Sequence, residues 1–248
     1  MRYCGSKRRF MRYLKPILQQ HLDSGECDTF VDAFCGGGNV ICQINAKNKV
    51  AIEYNSFVYH LWTYLQMMND MGRLPMSLTE EEYYDVKNDY VNKGGKYPNW
   101  LIGYVGTALS WGGGWFNGYP HYNPKKEEDH IKEAYNGLEK QIKSFISLQE
   151  TKFNNCSYDK YDYPDKCVIY CDPPYQDAKK YESDFDHDKF WNWVRKMSKK
   201  GHYVYVSEYS APSDFECIWS MDKADGMGTV KKGQNAKRKT EKLFIYHQ

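Results

Sequence analysis

The chain reads as an α/β protein with a mostly parallel sheet, interrupted by one long insertion. Three observations carry this reading. Short apolar or β-branched runs recur at 29–34, 49–53, 167–171, 203–207 and 243–246. Helical patterns lie between them, at 9–22, 39–47, 56–70, 126–148 and 186–200, and strands alternating with helices favour a parallel sheet. The stretch 72–125 breaks the rhythm with an acidic run (Glu80, Glu81, Glu82, Asp85 and Asp89 against Lys87), then "GKYPNW", then "SWGGGWFNGYPHYNP". The insertion is therefore placed at 60–155, mainly helical, with 1–59 and 156–248 forming the domain that carries the sheet. At 248 residues the chain can bury one good-sized core plus such a subdomain.

Formal net charge is only +2, which excludes a polycation. The charge is unevenly placed. Residues 1–15 carry Arg2, Lys7, Arg8, Arg9, Arg12 and Lys15 with no acid, and residues 231–242 carry six basic residues against Glu241. Two such ends can contact a polyanion, or serve as solvated surface. Aromatic residues make up 17%, with 23 tyrosines, and mean hydropathy is −0.81, the profile of a surface that stacks and hydrogen-bonds. The eight cysteines show no C-x-x-C pair and no zinc spacing, so reduced, buried thiols are expected and no metal. Met1 leads straight into Arg2 and a basic segment, with none of the apolar core of a leader peptide there, and no run approaches the ~18 apolar residues of a membrane span. A cytoplasmic protein with no membrane partner is expected.

"FVDAFCGGGNV", 30–40, reads as strand, glycine turn, helix. In an open parallel sheet, ligands bind where strands end and helices begin. Gly36, Gly37 and Gly38 let backbone approach a ligand closely, and the next helix offers free N–H donors. Position 41 is Ile where G-x-G-x-x-G needs glycine, and no G-K-[ST] is present after it, so a pyrophosphate cofactor is not favoured. Glu53 ends the next strand about twenty residues on, where an acid commonly accepts from ribose hydroxyls. Turn and acid together suit an adenosine-bearing ligand; a plain tight turn and a surface acid are the competing reading.

"VIYCDPPYQD", 168–177, places Asp172 at the end of a buried strand. Pro173 and Pro174 lack N–H groups and stiffen the backbone, and Tyr175 adds a flat ring. A carboxylate, a rigid carbonyl and a stacking face match an exocyclic amine on a planar base. Asp172 and the Pro173 carbonyl would take the two N–H bonds.

These motifs resemble the Dam-type, D12 class of N6-adenine DNA methyltransferases, with the alpha motif order. "YCGSKRRFMRYL" (3–14), "FVDAFCGGGNV" (30–40) and "DPPY" (172–175) look like its N-terminal, cofactor and catalytic motifs. Ser6 stands where the family's N-terminal motif has a second glycine. The resemblance covers most of the chain and is thin across 60–110. It implies a Rossmann-like S-adenosylmethionine-dependent methyltransferase sheet with an inserted target-recognition subdomain. Tyr3, Cys4, Gly5 and Lys7 should line the methionine end of S-adenosylmethionine. Asp32, Phe34, Gly36 and Gly38 should lie along its body, Glu53 at its ribose, and Ser157 and Tyr158 near its adenine, with Tyr54 also among the cofactor contacts. Asp172, Pro173, Pro174 and Tyr175 form the catalytic set. The methyl would pass directly to N6, with no metal and no covalent enzyme intermediate, so Cys171 reads as packing.

The implied partner is double-stranded DNA, from which the target base must be flipped out. Arg8, Arg9 and Arg12 are the first candidates for phosphate contacts, then Lys125 and Lys126. Trp115, Phe116, Asn117 and Tyr119, with Tyr122, Asn123 and His121, are candidates for reading bases or filling the gap. Trp111 is expected in the insertion's core, with Trp115 and Phe116 open between the two roles. Tyr181 and Phe185 are candidate walls for the flipped base, with helix-face packing as the competing role. A monomer with no obligatory protein partner suffices, in a bacterial cell or a phage-infected host. Three alternatives stay open: the same chemistry on RNA, methylation of a protein amide, where the motif usually begins with Asn, and an inactive DNA-binding relative.

Overall fold

A computed structural model describes residues 1–145, 147–176, 185–222 and 240–246. The chain divides into two compact units, Met1–Tyr161 and Asp162–Gln248.

The first unit holds three parallel strands, β1 (Thr29–Asp32), β2 (Asn48–Ile52) and β3 (Thr151–Asn154), in the order β3-β2-β1. That is the first half of a doubly wound sheet. All four residues of β1 are buried, as are the last four of β2, so these strands read as continuous apolar runs. Its helices are α1 (Met11–Asp23), α2 (Ser56–Met68), α3 (Glu80–Asn92), α4 (Asn99–Gly106) and α5 (His130–Ser144). Helix α1 buries Met11, Leu14 and Leu18, a 3.6-residue stripe. Helix α2 starts where the Asn55 side chain accepts from Phe57 and Val58 N–H, and stops at Asn69 in the left-handed region. Thr79 and Glu82 form a capping box on α3. Asp129 caps α5, whose Ile131, Ala134, Leu138 and Ile142 face inward.

The second unit holds β4 (Val168–Cys171), helix α6 (His187–Lys199), β5 (Tyr203–Glu208), β6 (Phe215–Asp222) and β7 (Thr240–Tyr246). Strands β4 and β5 are parallel, and β7 runs antiparallel between β5 and β6, giving β4-β5-β7-β6. Helix α6 is capped by Asp186 and buries Phe190, Trp191, Val194 and Met197.

The α/β class and the five expected strands are present. The helix expected over 39–47 is only a short 3₁₀ turn, Ile41–Gln43. Val40, Ile41, Cys42 and Ile44 are all buried, so packing on several sides replaces the single stripe a helix would need. Strand β3 lies inside the range expected for the insertion and belongs to the sheet through its pairing with β2. No helix of the described residues is long and apolar enough to cross a membrane.

Candidate functional site

The glycine turn comes directly after β1. Gly36 and Gly38 adopt positive φ, and Gly38 N–H closes the turn on the Cys35 carbonyl at 2.8 Å. The turn is packed between two rings. A Cβ on Gly36 would lie 2.7 Å from the Tyr3 ring, and one on Gly38 would lie 2.6 Å from the Trp62 indole. A short 3₁₀ turn and no full helix comes after it, and the N–H groups of Gly36 and Gly38 are taken within the protein, by Glu53 and by the Cys35 carbonyl.

Glu53 stands immediately after β2 and is 6% exposed. Its Oε2 accepts from Gly36 N–H at 2.7 Å and its Oε1 from Asn55 N–H at 2.8 Å. Burial pushes its carboxyl up to about 7, against the pull of those two N–H bonds. Asp32 is buried at the end of β1, and both carboxylates, after burial itself, hold the buried Cys35 thiol well above its ordinary value. Asn155 Nδ2 donates to the carbonyls of Glu53 (2.8 Å) and Tyr54 (3.2 Å). Tyr54 is 82% exposed beside the buried acid. Phe34 stacks on Tyr158 at 5.3 Å between centroids, and Ser157 is half-buried next to that pair.

In the N-terminal motif, Lys7 is buried and its Nζ donates to the Gly5 carbonyl at 3.0 Å. Cys4 is exposed, and its N–H donates to the Gly113 carbonyl at 3.0 Å. Tyr3 and Glu53 thus both meet the glycine turn, at Gly36. Trp62, Gln141, Gly113 and Asn155 also hold this region and were not among the sequence candidates. Trp62 Nε1 donates to the Gly36 carbonyl at 2.8 Å and Gln141 Nε2 to the Gly37 carbonyl at 3.0 Å.

In the second unit, β4 is fully buried, Cys171 included, and Asp172 comes next, half-buried. Pro173 is buried, Pro174 exposed and Tyr175 half-buried. The Tyr175 hydroxyl donates to Glu241, which is fully buried on β7. The Tyr175 ring meets Tyr209 edge-on at 4.6 Å. Glu208, at the end of β5, accepts from Tyr209 N–H at 2.7 Å and from Gln176 N–H at 3.3 Å. Burial pushes Glu208 up to about 7, helped by the Asp172 and Glu241 charges. Burial, then Asp172 and Glu241, hold the Tyr175 phenol well above its ordinary value. Glu208 and Glu241 escaped the sequence reading. The available signal was an acid set within or at the end of an apolar strand, as with Glu53.

Among the nucleic-acid candidates, Arg8, Arg9 and Arg12 are exposed, the last two with guanidinium groups over Phe10 (4.8 Å) and Tyr13 (4.5 Å). Lys125, Lys126 and Asn117 are exposed. Tyr119 is half-buried, its hydroxyl donating to the Leu78 carbonyl at 2.7 Å. Phe116, a base-reading candidate by sequence, is 6% exposed and stacked on Tyr90 at 5.2 Å, a core position. Trp115 packs edge-on to Tyr90 at 5.3 Å and stays half-buried. Trp111, expected in the core, is 46% exposed with its ring against His130. Phe185 contacts Phe190 at 5.5 Å. Tyr181 lies outside the described residues. No group of three or more metal-ligating side chains occurs among the described residues.

A model of the D12 class N6 adenine-specific DNA methyltransferases matches residues 3–224. The Type II methyltransferase M.FokI of Planomicrobium okeanokoites is 24% identical over 71% of the chain and 28% of its own length. The modification methylase StsI of Streptococcus sanguinis is 22% identical over 84% of the chain and 33% of its own length. The chain thus spans about a third of the length of these relatives. Among solved structures, yhhF of Escherichia coli aligns with 97% of this chain and 83% of its own, at 10% identity and a TM-score of 0.34, a distant likeness.

Proposed function

Since the chain belongs to the D12 class N6 adenine-specific DNA methyltransferase family, we propose that it transfers the methyl group of S-adenosylmethionine to N6 of a flipped-out adenine in double-stranded DNA. The observation that carries this reading is the loop after β4. A half-buried carboxylate, Asp172, ends a fully buried strand, two prolines stiffen the next two positions, and the Tyr175 ring is held by its hydroxyl and its edge.

In this reading Asp172 and the Pro173 carbonyl accept the two N–H groups of the adenine amine. That holds the nitrogen with its lone pair available for bonding while the base stacks on Tyr175. Unstacking and unpairing the base costs a few kcal/mol, offset by these contacts. The residues of the first unit fit an adenosine-bearing cofactor. Each oxygen of Glu53 takes one N–H and keeps capacity for a second donor, which suits ribose hydroxyls. The exposed Tyr54 ring and the Phe34–Tyr158 pair suit an adenine. When bound, S-adenosylmethionine supplies a sulfonium methyl, the electrophile of the reaction.

The same reading includes the division into a methyltransferase domain, 1–59 and 156–248, and a recognition insertion, 60–155, from which β3 (Thr151–Asn154) is given to the sheet it pairs with. It also includes phosphate contacts from Arg8, Arg9 and Arg12, action as a monomer, and a cytoplasmic place in a bacterial cell or a phage-infected host. The test is incubation of unmethylated genomic DNA with the protein and S-adenosylmethionine, then long-read sequencing for N6-methyladenine, with total RNA in parallel. A short recurring motif with modified adenine is expected. Unmodified DNA beside modified RNA would overturn the choice of substrate, and no modification of either would overturn the reaction.

A further inference from the structure

We propose that Glu241 is a positioning residue for Tyr175: its buried carboxylate takes the phenol hydroxyl and fixes the plane of the ring on which the target base stacks. The proposal rests on the methyl-transfer function proposed for this chain.

A tyrosine ring turns about two side-chain torsions, and a loop that merely ends a strand does not choose between its rotamers. Here the ring is gripped at two points. Its hydroxyl donates to Glu241, and its side meets the Tyr209 ring at 89°. Glu241 is fully buried on β7, whose neighbours are β5 and β6. Carboxylates are almost never fully buried without a partner, because desolvation is costly. The phenol is such a partner, and a phenol held well above its ordinary titration range stays a donor. The backbone one residue later is held separately, since Gln176 N–H donates to Glu208. Two acids from two strands therefore fix ring and chain before any base arrives. A base that docks on a ring already in place pays less ordering cost, and the reacting geometry is more precise.

The geometry also says which substitutions are informative. Tyr175→Phe keeps the ring and removes the hydroxyl. Glu241→Gln keeps an acceptor oxygen, and Glu241→Leu removes it. Methyl transfer is measured on an oligonucleotide carrying the motif found by sequencing, alongside cofactor affinity by calorimetry. Glu241→Leu and Tyr175→Phe should each lower kcat by ~10- to 100-fold, with cofactor affinity unchanged. Glu241→Gln should recover most of the rate, and Tyr175→Phe/Glu241→Leu should be no slower than Tyr175→Phe alone. Losses that multiply in the double variant would overturn the proposal, and so would a Tyr175→Phe enzyme at the wild-type rate. If Glu241→Leu fails to fold, the Gln and Phe variants still decide. A second readout needs no activity. In protein labelled at tyrosine Cζ, the carbon resonance lost in Tyr175→Phe should shift in Glu241→Gln. An unmoved resonance overturns the pairing. If wild-type protein methylates no DNA, the proposed function fails by itself, and the resonance then decides the pairing alone.

Discussion

Glu53 holds the glycine turn through Gly36 N–H, and its carboxyl sits at about 7 because it is buried. That position bears on binding and on stability. For binding, ribose hydroxyls need an ionised acceptor. With S-adenosylmethionine as ligand, affinity should fall about tenfold from pH 8 to pH 6, as the ionised fraction drops through a pKa of about 7. Glu53→Gln should bind weakly and lose that dependence in calorimetry. For stability, the folded value lies above the unfolded value of 4.5. The folded protein therefore keeps its proton while the unfolded chain loses one, and this contribution to stability declines as pH rises from about 4.5 to 7. By pH 8 the full cost is about 3 kcal/mol. Glu53→Gln should gain on the wild type by up to that amount between pH 4.5 and 8, read as the difference in urea unfolding; a constant difference would contradict the raised value. Asp172 gives a sharper outcome. Asp172→Ala should abolish methyl transfer while leaving cofactor affinity near wild type, since Asp172 is assigned to the amine and Glu53 to the ribose. Near wild-type transfer by that variant would remove Asp172 as the amine acceptor.

The elements that grip the glycine turn come largely from the range expected as the recognition insertion. Trp62 on α2 and Gln141 on α5 donate to the carbonyls of Gly36 and Gly37. Gly113 accepts from Cys4 N–H and lies so close to Tyr3 that a Cβ would sit 2.7–2.9 Å from its backbone atoms. Backbone cannot yield there as a flexible side chain would. Gly113→Ala should therefore push the N-terminal motif off the turn and weaken cofactor binding several-fold. Trp62→Phe should leave the Gly36 carbonyl without its indole donor, at about 1–3 kcal/mol of stability. Thermal melting with calorimetry checks both, and unchanged cofactor affinity in Gly113→Ala would sever the link between this segment and the turn. These contacts also explain what was legible in the sequence. Strands β1, β2, β4 and β5 were readable because each is a nearly continuous apolar run. The turn, Glu53 and Asp172 were readable because each comes straight after such a run. Strand β3 is "TKFN", too short and polar to signal itself, and β6 buries only Phe215 and shows no two-residue alternation along its length. Glu208 and Glu241 fall just outside the strands expected at 203–207 and 243–246, and only the longer strands of the structure show them buried. Trp111 lies outside the core expected for it, and Phe116, open between core and base reading by sequence, takes the core place, with positive φ and its ring against Tyr83 and Tyr90, a conformation that residue spacing does not reveal.

Across the whole molecule, a net charge of +2 supplies little general attraction for a polyanion, so binding to DNA, as proposed, would have to draw on where the charge is exposed. The structure sorts the basic N-terminal segment. Lys7 is buried on the Gly5 carbonyl, and Arg2 is paired with Glu133 at 3.0 Å. Arg8, Arg9 and Arg12 remain exposed. The other basic run lies mostly at 231–239, outside the described residues. The total is near neutral because 32 acids offset 34 basic residues, and three of those acids, Glu80, Glu81 and Glu82, stand together in the first turn of α3. If the three exposed arginines meet phosphates, each contact releases counterions and adds about 0.9 to the slope of log affinity against log salt. Replacing all three by alanine should lower that slope by up to about 3 and weaken binding alike on target and non-target duplexes, because phosphate contacts carry no sequence information. The methylated motif should stay the same. Fluorescence anisotropy over a salt series, on two unrelated duplexes, measures both quantities. An unchanged slope would move the phosphate contacts to Lys125, Lys126 or the second basic run. A changed target motif would mean that these arginines read bases.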